Sequence, residues 1–137
     1  ASDVFEHVAP PVSRAFDGAR ALLKPGGLMV FSVPFSIKIR ATEEHYPDLH
    51  AYSLQEENGI QVLRNRTRDG HSQVFNQLKF HGGEGATLEM RKFELDALRA
   101  DFARAGFTVE LRGEDAPEWG IVWTQGWSVP MLARRLD

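Results

Sequence analysis

The sequence contains no cysteine. Disulfides and thiolate metal sites are therefore excluded. No apolar run approaches the roughly 18 residues that a membrane-spanning helix needs. The first residues show neither the basic segment nor the long apolar stretch of a secretion signal. A basic excess is lacking too: 16 Lys and Arg stand against 19 Asp and Glu, a formal net charge of −3. Dedicated nucleic-acid binders normally carry a basic face, so neither a nucleic-acid nor a membrane partner is expected, and a cytoplasmic setting fits. Also missing is a glycine-rich turn leading from a buried strand into a helix, the usual cradle for a nucleotide-like cofactor. The densest glycine stretch, His81-Gly82-Gly83-Glu84-Gly85, connects no such elements. It is not a lipase-type oxyanion loop either, because the serine elbow Gly-x-Ser-x-Gly is absent.

What is present reads as one α/β domain. The 137 residues, 42% hydrophobic and 26% charged, suffice for a sizeable core. Val12, Ala15, Phe16, Ala19, Leu22 and Leu23 recur at helical spacing, which predicts a helix over 10–23 ended by Lys24-Pro25-Gly26-Gly27. The run Leu28 to Val33 predicts a strand buried on both faces, closed by Pro34. Residues 35–90 are richer in Pro, Gly, Asn and charge, with alternating pieces at 60–63 and 74–80 and turn dipeptides Asn58-Gly59 and Asp69-Gly70. They read as a small antiparallel insertion, of a length that usually serves as a lid or substrate wall. A second helix is predicted over 94–105, with Leu95, Leu98, Phe102 and Ala105 on its apolar stripe and Gly106 as its cap. Phe107, Val109 and Leu111 alternate as a strand, and a last, irregular strand is expected over 121–123 and 127–133.

Asp3-Val4-Phe5-Glu6-His7-Val8 and Leu22-Leu23-Lys24-Pro25-Gly26-Gly27 running into Leu28 to Pro34 strongly resemble class I S-adenosylmethionine-dependent methyltransferases. In that family an acidic-aliphatic-Glu-His-Val sequence ends the fourth strand, and Leu-Lys-Pro-Gly-Gly leads into the fifth. Arg91-Lys92-Phe93 followed by Ala105-Gly106-Phe107 resembles its next helix and exit. The pieces cover about half the chain and keep the family's order. The resemblance implies the C-terminal part of a Rossmann-like methyltransferase sheet with an antiparallel last strand. Residues 1–137 would be a partial methyltransferase domain, and 35–90 its inserted substrate-cap-like segment. The family's glycine loop and second-strand acid are absent here. The chain is therefore expected to be a fragment of a larger enzyme, inactive alone and completed by the missing N-terminal part of the same chain.

The expected activity is methyl transfer from S-adenosylmethionine to a small molecule or sugar-type acceptor. A non-catalytic methyltransferase-like interaction module is the rival, and a nicotinamide-dependent Rossmann-like enzyme a third reading. Methyl transfer is an in-line displacement that needs alignment and, for some acceptors, a proton acceptor. Residues at the C-terminal ends of parallel strands face the ligand crevice, so Ser2, Asp3, Val4, Phe5 and Glu6 are expected to line the cofactor site. His7 is a candidate general base by its intrinsic pKa; otherwise Glu6-His7 merely starts the next helix. The 81–85 stretch is either a tight turn or a loop closing over substrate with His81 or Glu84 inward, His81 being the second catalytic candidate. His45 and His50, in the polar stretch Glu44-His45-Tyr46-Pro47-Asp48-Leu49-His50, are expected to face the substrate, as is Glu84. Pro47 breaks helical spacing and no zinc pattern is matched there, so no metal is expected. Trp119, Trp123 and Trp127 read as core or edge cover, or as a wall for a sugar ring. Arg64, Arg66 and Arg68 share one strand face, which is either solvated or attractive to an acidic substrate.

Overall fold

The computed structural model describes residues 1–83, 85–124 and 126–137. In chain order the elements are α1 (Ser13–Leu22), β1 (Leu28–Phe31), β2 (Phe35–Ser36), β3 (Glu43–Glu44), β4 (Ala51–Glu57), β5 (Ile60–Arg66), β6 (Ser72–Phe75), β7 (Phe80–His81), β8 (Thr87–Leu88), β9 (Arg91–Glu94), α2 (Leu95–Arg104), β10 (Phe107–Leu111) and β11 (Met131–Arg135). Short 3-10 turns lie at Phe5–His7 and Pro117–Trp119. The architecture is mixed α/β. Among the described residues no helix is long and apolar enough to cross a membrane.

The main sheet has the order β1-β11-β10, with β11 antiparallel to both neighbours. On the free edge of β1 the start of the chain adds a short parallel pairing, Ser2 opposite Ser32. Both helices feed the same core, where Phe16 of α1 and Leu98 and Phe102 of α2 meet Phe5, Phe31, Phe107 and Met131. Phe102 is its hub. Its ring lies 4.5 Å from that of Phe16, 4.7 Å from Phe31, and 5.7 Å from each of Phe5 and Phe107. Offset and edge contacts of this kind add to area burial.

Because both helices share one side, β1 is buried on one face only. Phe31 is 2% exposed, whereas Leu28 and Val30 are 47% and 59% exposed. The two-sided burial predicted for this run is thus not met within the chain. Helix α1 begins at Ser13 rather than Pro10, since a residue preceding proline is disfavoured in the helical region. Helix α2 begins at Leu95, and Glu94 caps it by accepting from the amides of Asp96 and Ala97 at 3.1 and 2.7 Å. The last strand starts only at Met131. Pro130 has no amide to give the ladder, and the stretch before it turns at Pro117–Trp119 and at the left-handed Gly120.

Residues 35–90 carry a second, smaller core of Tyr46, Leu49, Leu63 and Met90 beneath the antiparallel sheet β4-β5-β6. Asn58 and Gly59 both have positive φ, 53° and 78°, as a two-residue type I′ hairpin requires. The Asp69-Gly70 dipeptide sits instead in a five-residue loop, closed by Thr67, whose hydroxyl accepts from the His71 amide at 2.9 Å. Strand β4 is almost wholly exposed and showed no apolar alternation; its pairing with β5 makes it a strand.

Candidate functional site

The two cores meet at the Phe5–His7 turn, which three long-range hydrogen bonds tie to the segment 88–91. His7 Nδ1 donates to the Leu88 carbonyl at 2.8 Å. The Met90 amide donates to the Glu6 carbonyl at 2.8 Å. Arg91 Nη1 donates to the Phe5 carbonyl at 2.7 Å, while its Nε and Nη2 hold Glu44 at 2.7 and 3.2 Å. Arg91 is fully buried, and its five donors are what make a buried cation tolerable here.

This stitching brings His81, at the end of β7, beside the turn. His81 Nδ1 lies 3.4 Å from Glu6 Oε1, and His7 Nε2 lies 3.7 Å from the same oxygen. The imidazole centroids are 5.4 Å apart. Glu6 is fully buried, and among the described residues neither of its oxygens has a hydrogen-bond partner; His81 Nδ1 is likewise buried and unsatisfied. Burial pushes the Glu6 carboxyl above its ordinary value and Asp3 adds to the rise, while its own amide and the two histidines pull the other way. Next to the cluster, His45 Nε2 pairs with Glu89 Oε1 at 2.9 Å, and that hydrogen bond holds the Glu89 carboxyl below its ordinary range. A carbonyl can only accept, so His7 carries a proton on Nδ1, and its Nε2 is turned toward Glu6.

The two histidines singled out as catalytic candidates are therefore neighbours, and Glu6 joins them. Phe5 is different in place: its ring is packed in the aromatic core and its carbonyl is taken by Arg91. Ser2, Asp3 and Val4 are exposed, and the strand end expected there is only the single Ser2–Ser32 bridge. The Ser2 hydroxyl meets that of Ser32 at 2.6 Å, and Asp3 adopts a left-handed φ of 50°. His45 and His50 part company. His45 stands by the cluster, whereas His50 lines a cavity of about 870 Å³ with Ala9, Arg14, Tyr52, Arg68 and His71. Glu84 lies outside the described residues. Trp123 packs against the core, whereas Trp119 and Trp127 are exposed. Arg64 forms an exposed pair with Glu57.

Glu89 was missed in the sequence. A histidine-rich stretch gives no signal of which distant carboxylate will face it.

No protein-family model matches the chain, and no curated protein matches it. Its structure is similar to that of the sugar N-methyltransferase KedS8 from a Streptoalloteichus species, with a TM-score of 0.50 and 16% identity over 100% of this chain and 54% of that one. Weaker similarity is found to an S-adenosylmethionine-dependent methyltransferase from Clostridium acetobutylicum (TM-score 0.48, 14% identity, 98% and 56% of the two chains). The glycopeptide N-methyltransferase MtfA, solved with S-adenosylmethionine, follows at a TM-score of 0.47 and 15% identity over 99% and 55%. The chain spans about half the length of these solved structures. The likeness to KedS8 is one of fold: this chain is built like about half of that methyltransferase.

Proposed function

We propose that this chain is the acceptor-side part of a larger S-adenosylmethionine-dependent methyltransferase acting on a small-molecule or sugar-type acceptor. The observation that carries the reading is the Glu6–His7–His81 cluster at the turn that follows the Ser2–Ser32 bridge, in a fold similar to that of a sugar N-methyltransferase. The antiparallel β11 between β10 and β1 supports a Rossmann-like C-terminal sheet, with residues 35–90 as the substrate cap.

S-adenosylmethionine supplies an electrophilic methyl group, which an acceptor lone pair attacks in line as the carbon–sulfur bond breaks. Ser2, Asp3 and Val4, exposed beside the parallel Ser2–Ser32 bridge on the edge of β1, are the residues here that fit the cofactor side. The proton released by the acceptor goes to His81. A carboxylate beside Nδ1 favours the tautomer protonated there and leaves the Nε2 lone pair free. Glu6 is thus a positioning residue. The remote part of the acceptor occupies the cavity lined by His50, Arg14 and Tyr52, which begins at Ala9, two residues beyond His7. Its volume lies in the range of small-molecule sites.

Calorimetric titration of the full-length enzyme with S-adenosylmethionine and S-adenosylhomocysteine tests the reading. Affinity for both is expected. His81→Gln should lower kcat by roughly 100-fold or more, the usual worth of a positioned base, with cofactor affinity unchanged. No affinity for either compound would discard the enzyme and favour a non-catalytic methyltransferase-like module.

A further inference from the structure

We propose that Glu6, His7 and His81 form a binding site for a divalent transition-metal ion of the zinc class. Glu6, His7 and His81 each offer one ligand atom, and these three atoms all lie within 4.8 Å of one another. Two of the separations are 3.4 and 3.7 Å. A tetrahedral ion with ligands at about 2.0–2.1 Å holds neighbouring ligand atoms roughly 3.3 Å apart. Shifts of a few tenths of an ångström would therefore bring these ligand pairs to bonding geometry.

The polar inventory supports the same conclusion. Native interiors leave few buried polar atoms unsatisfied. Here both Glu6 oxygens and His81 Nδ1 are buried and unsatisfied, and Oε1 lies 3.4 Å from Nδ1. A cation would satisfy the facing oxygen and ring nitrogen at once and balance the buried carboxylate. The second shell is already built: the Leu88 carbonyl accepts from His7 Nδ1 and so aims Nε2 at the cluster. Two imidazoles and one carboxylate suit zinc, cobalt(II), nickel(II) or iron(II) rather than calcium or magnesium. Three protein ligands leave a fourth position open, and the His81 side chain is one-third exposed.

Metal binding has a consequence for the proton acceptor proposed above, and only this consequence rests on that reading. An imidazole bound through Nδ1 keeps its proton on Nε2. His81 then has no lone pair for an acceptor proton, so metal occupancy inhibits methyl transfer.

The test is a titration of the full chain, freed of metal by a chelator, with cobalt(II) followed by visible absorption, then displacement by zinc(II). No cofactor or acceptor is present, so the outcome is independent of the methyl-transfer reading. One cobalt per chain is expected, with ligand-field bands that zinc abolishes. Glu6→Gln and His81→Ala should each weaken binding by about tenfold or more. His71→Ala, at an exposed histidine paired with Asp69, should leave it unchanged. Absence of cobalt bands overturns the site, as does binding that survives His81→Ala undiminished. His81 sits at the end of a two-residue strand and is partly exposed, so its removal disturbs the core little and that variant decides the matter.

Discussion

Glu6→Gln should stabilise the chain at neutral pH while disabling its site. The carboxyl is fully buried with neither oxygen hydrogen-bonded. Leaving a buried polar group unsatisfied costs about 1–3 kcal/mol, and more when it is charged. Glutamine keeps the shape and removes the charge, so a gain of about 1–2 kcal/mol is expected near neutral pH. For a domain of this size that is a rise in Tm of roughly 4 °C per kcal/mol. The gain depends on pH. Burial raises the folded-state pKa of Glu6 above 4.5, so between the unfolded and folded pKa the folded chain binds the extra proton. Wild-type stability is then fully present below the unfolded pKa and falls as pH rises through the folded one. The variant has no such slope. Urea unfolding of both proteins from about pH 4 to about pH 8, with chelator present because a bound ion would stabilise the wild type, should show a gap that opens with pH. A gap that stays constant, or a variant less stable than wild type near pH 8, would refute the reasoning. Stored destabilisation of this kind is common where function requires it.

Phe102→Ala removes the ring that contacts four others in the main core; a loss of about 3–5 kcal/mol is expected by urea denaturation. Arg91→Met leaves Glu44 without its bidentate partner and frees the Phe5 carbonyl. Glu44 is one-third exposed and can turn to water, so the loss comes from the buried Phe5 carbonyl left unpaired, about 1–3 kcal/mol, and hydrogen exchange should show the Phe5–His7 turn opening first.

Fold elements whose causes lie within a few residues were legible in the sequence. Both helices followed from apolar spacing and their caps, with α1 trimmed at its start by the Pro10-Pro11 pair. The Asn58-Gly59 hairpin followed from the positive φ its turn requires. The strand at 107–111 followed from alternation. Where a partner strand decides, local pattern failed: β4 carries no apolar alternation, and β11 starts late because Pro130 lacks a donor. In the candidate site, the chemical types were visible at His7 and His81, since imidazole is the side chain that titrates near neutral pH.

The sequence by itself determined an α/β chain with two amphipathic helices, an apolar strand between them and a polar insertion, because side-chain period and turn chemistry act over one or two turns of chain. Only the tertiary structure decided that β1 is covered on one face, that His45 joins Glu89 while His50 lines another cavity, and that His81 reaches Glu6 and His7. Those meetings depend on the bonds that fasten the Phe5–His7 turn to residues 88–91, far along the chain. Such contacts are set by how the two cores dock, which no local pattern encodes.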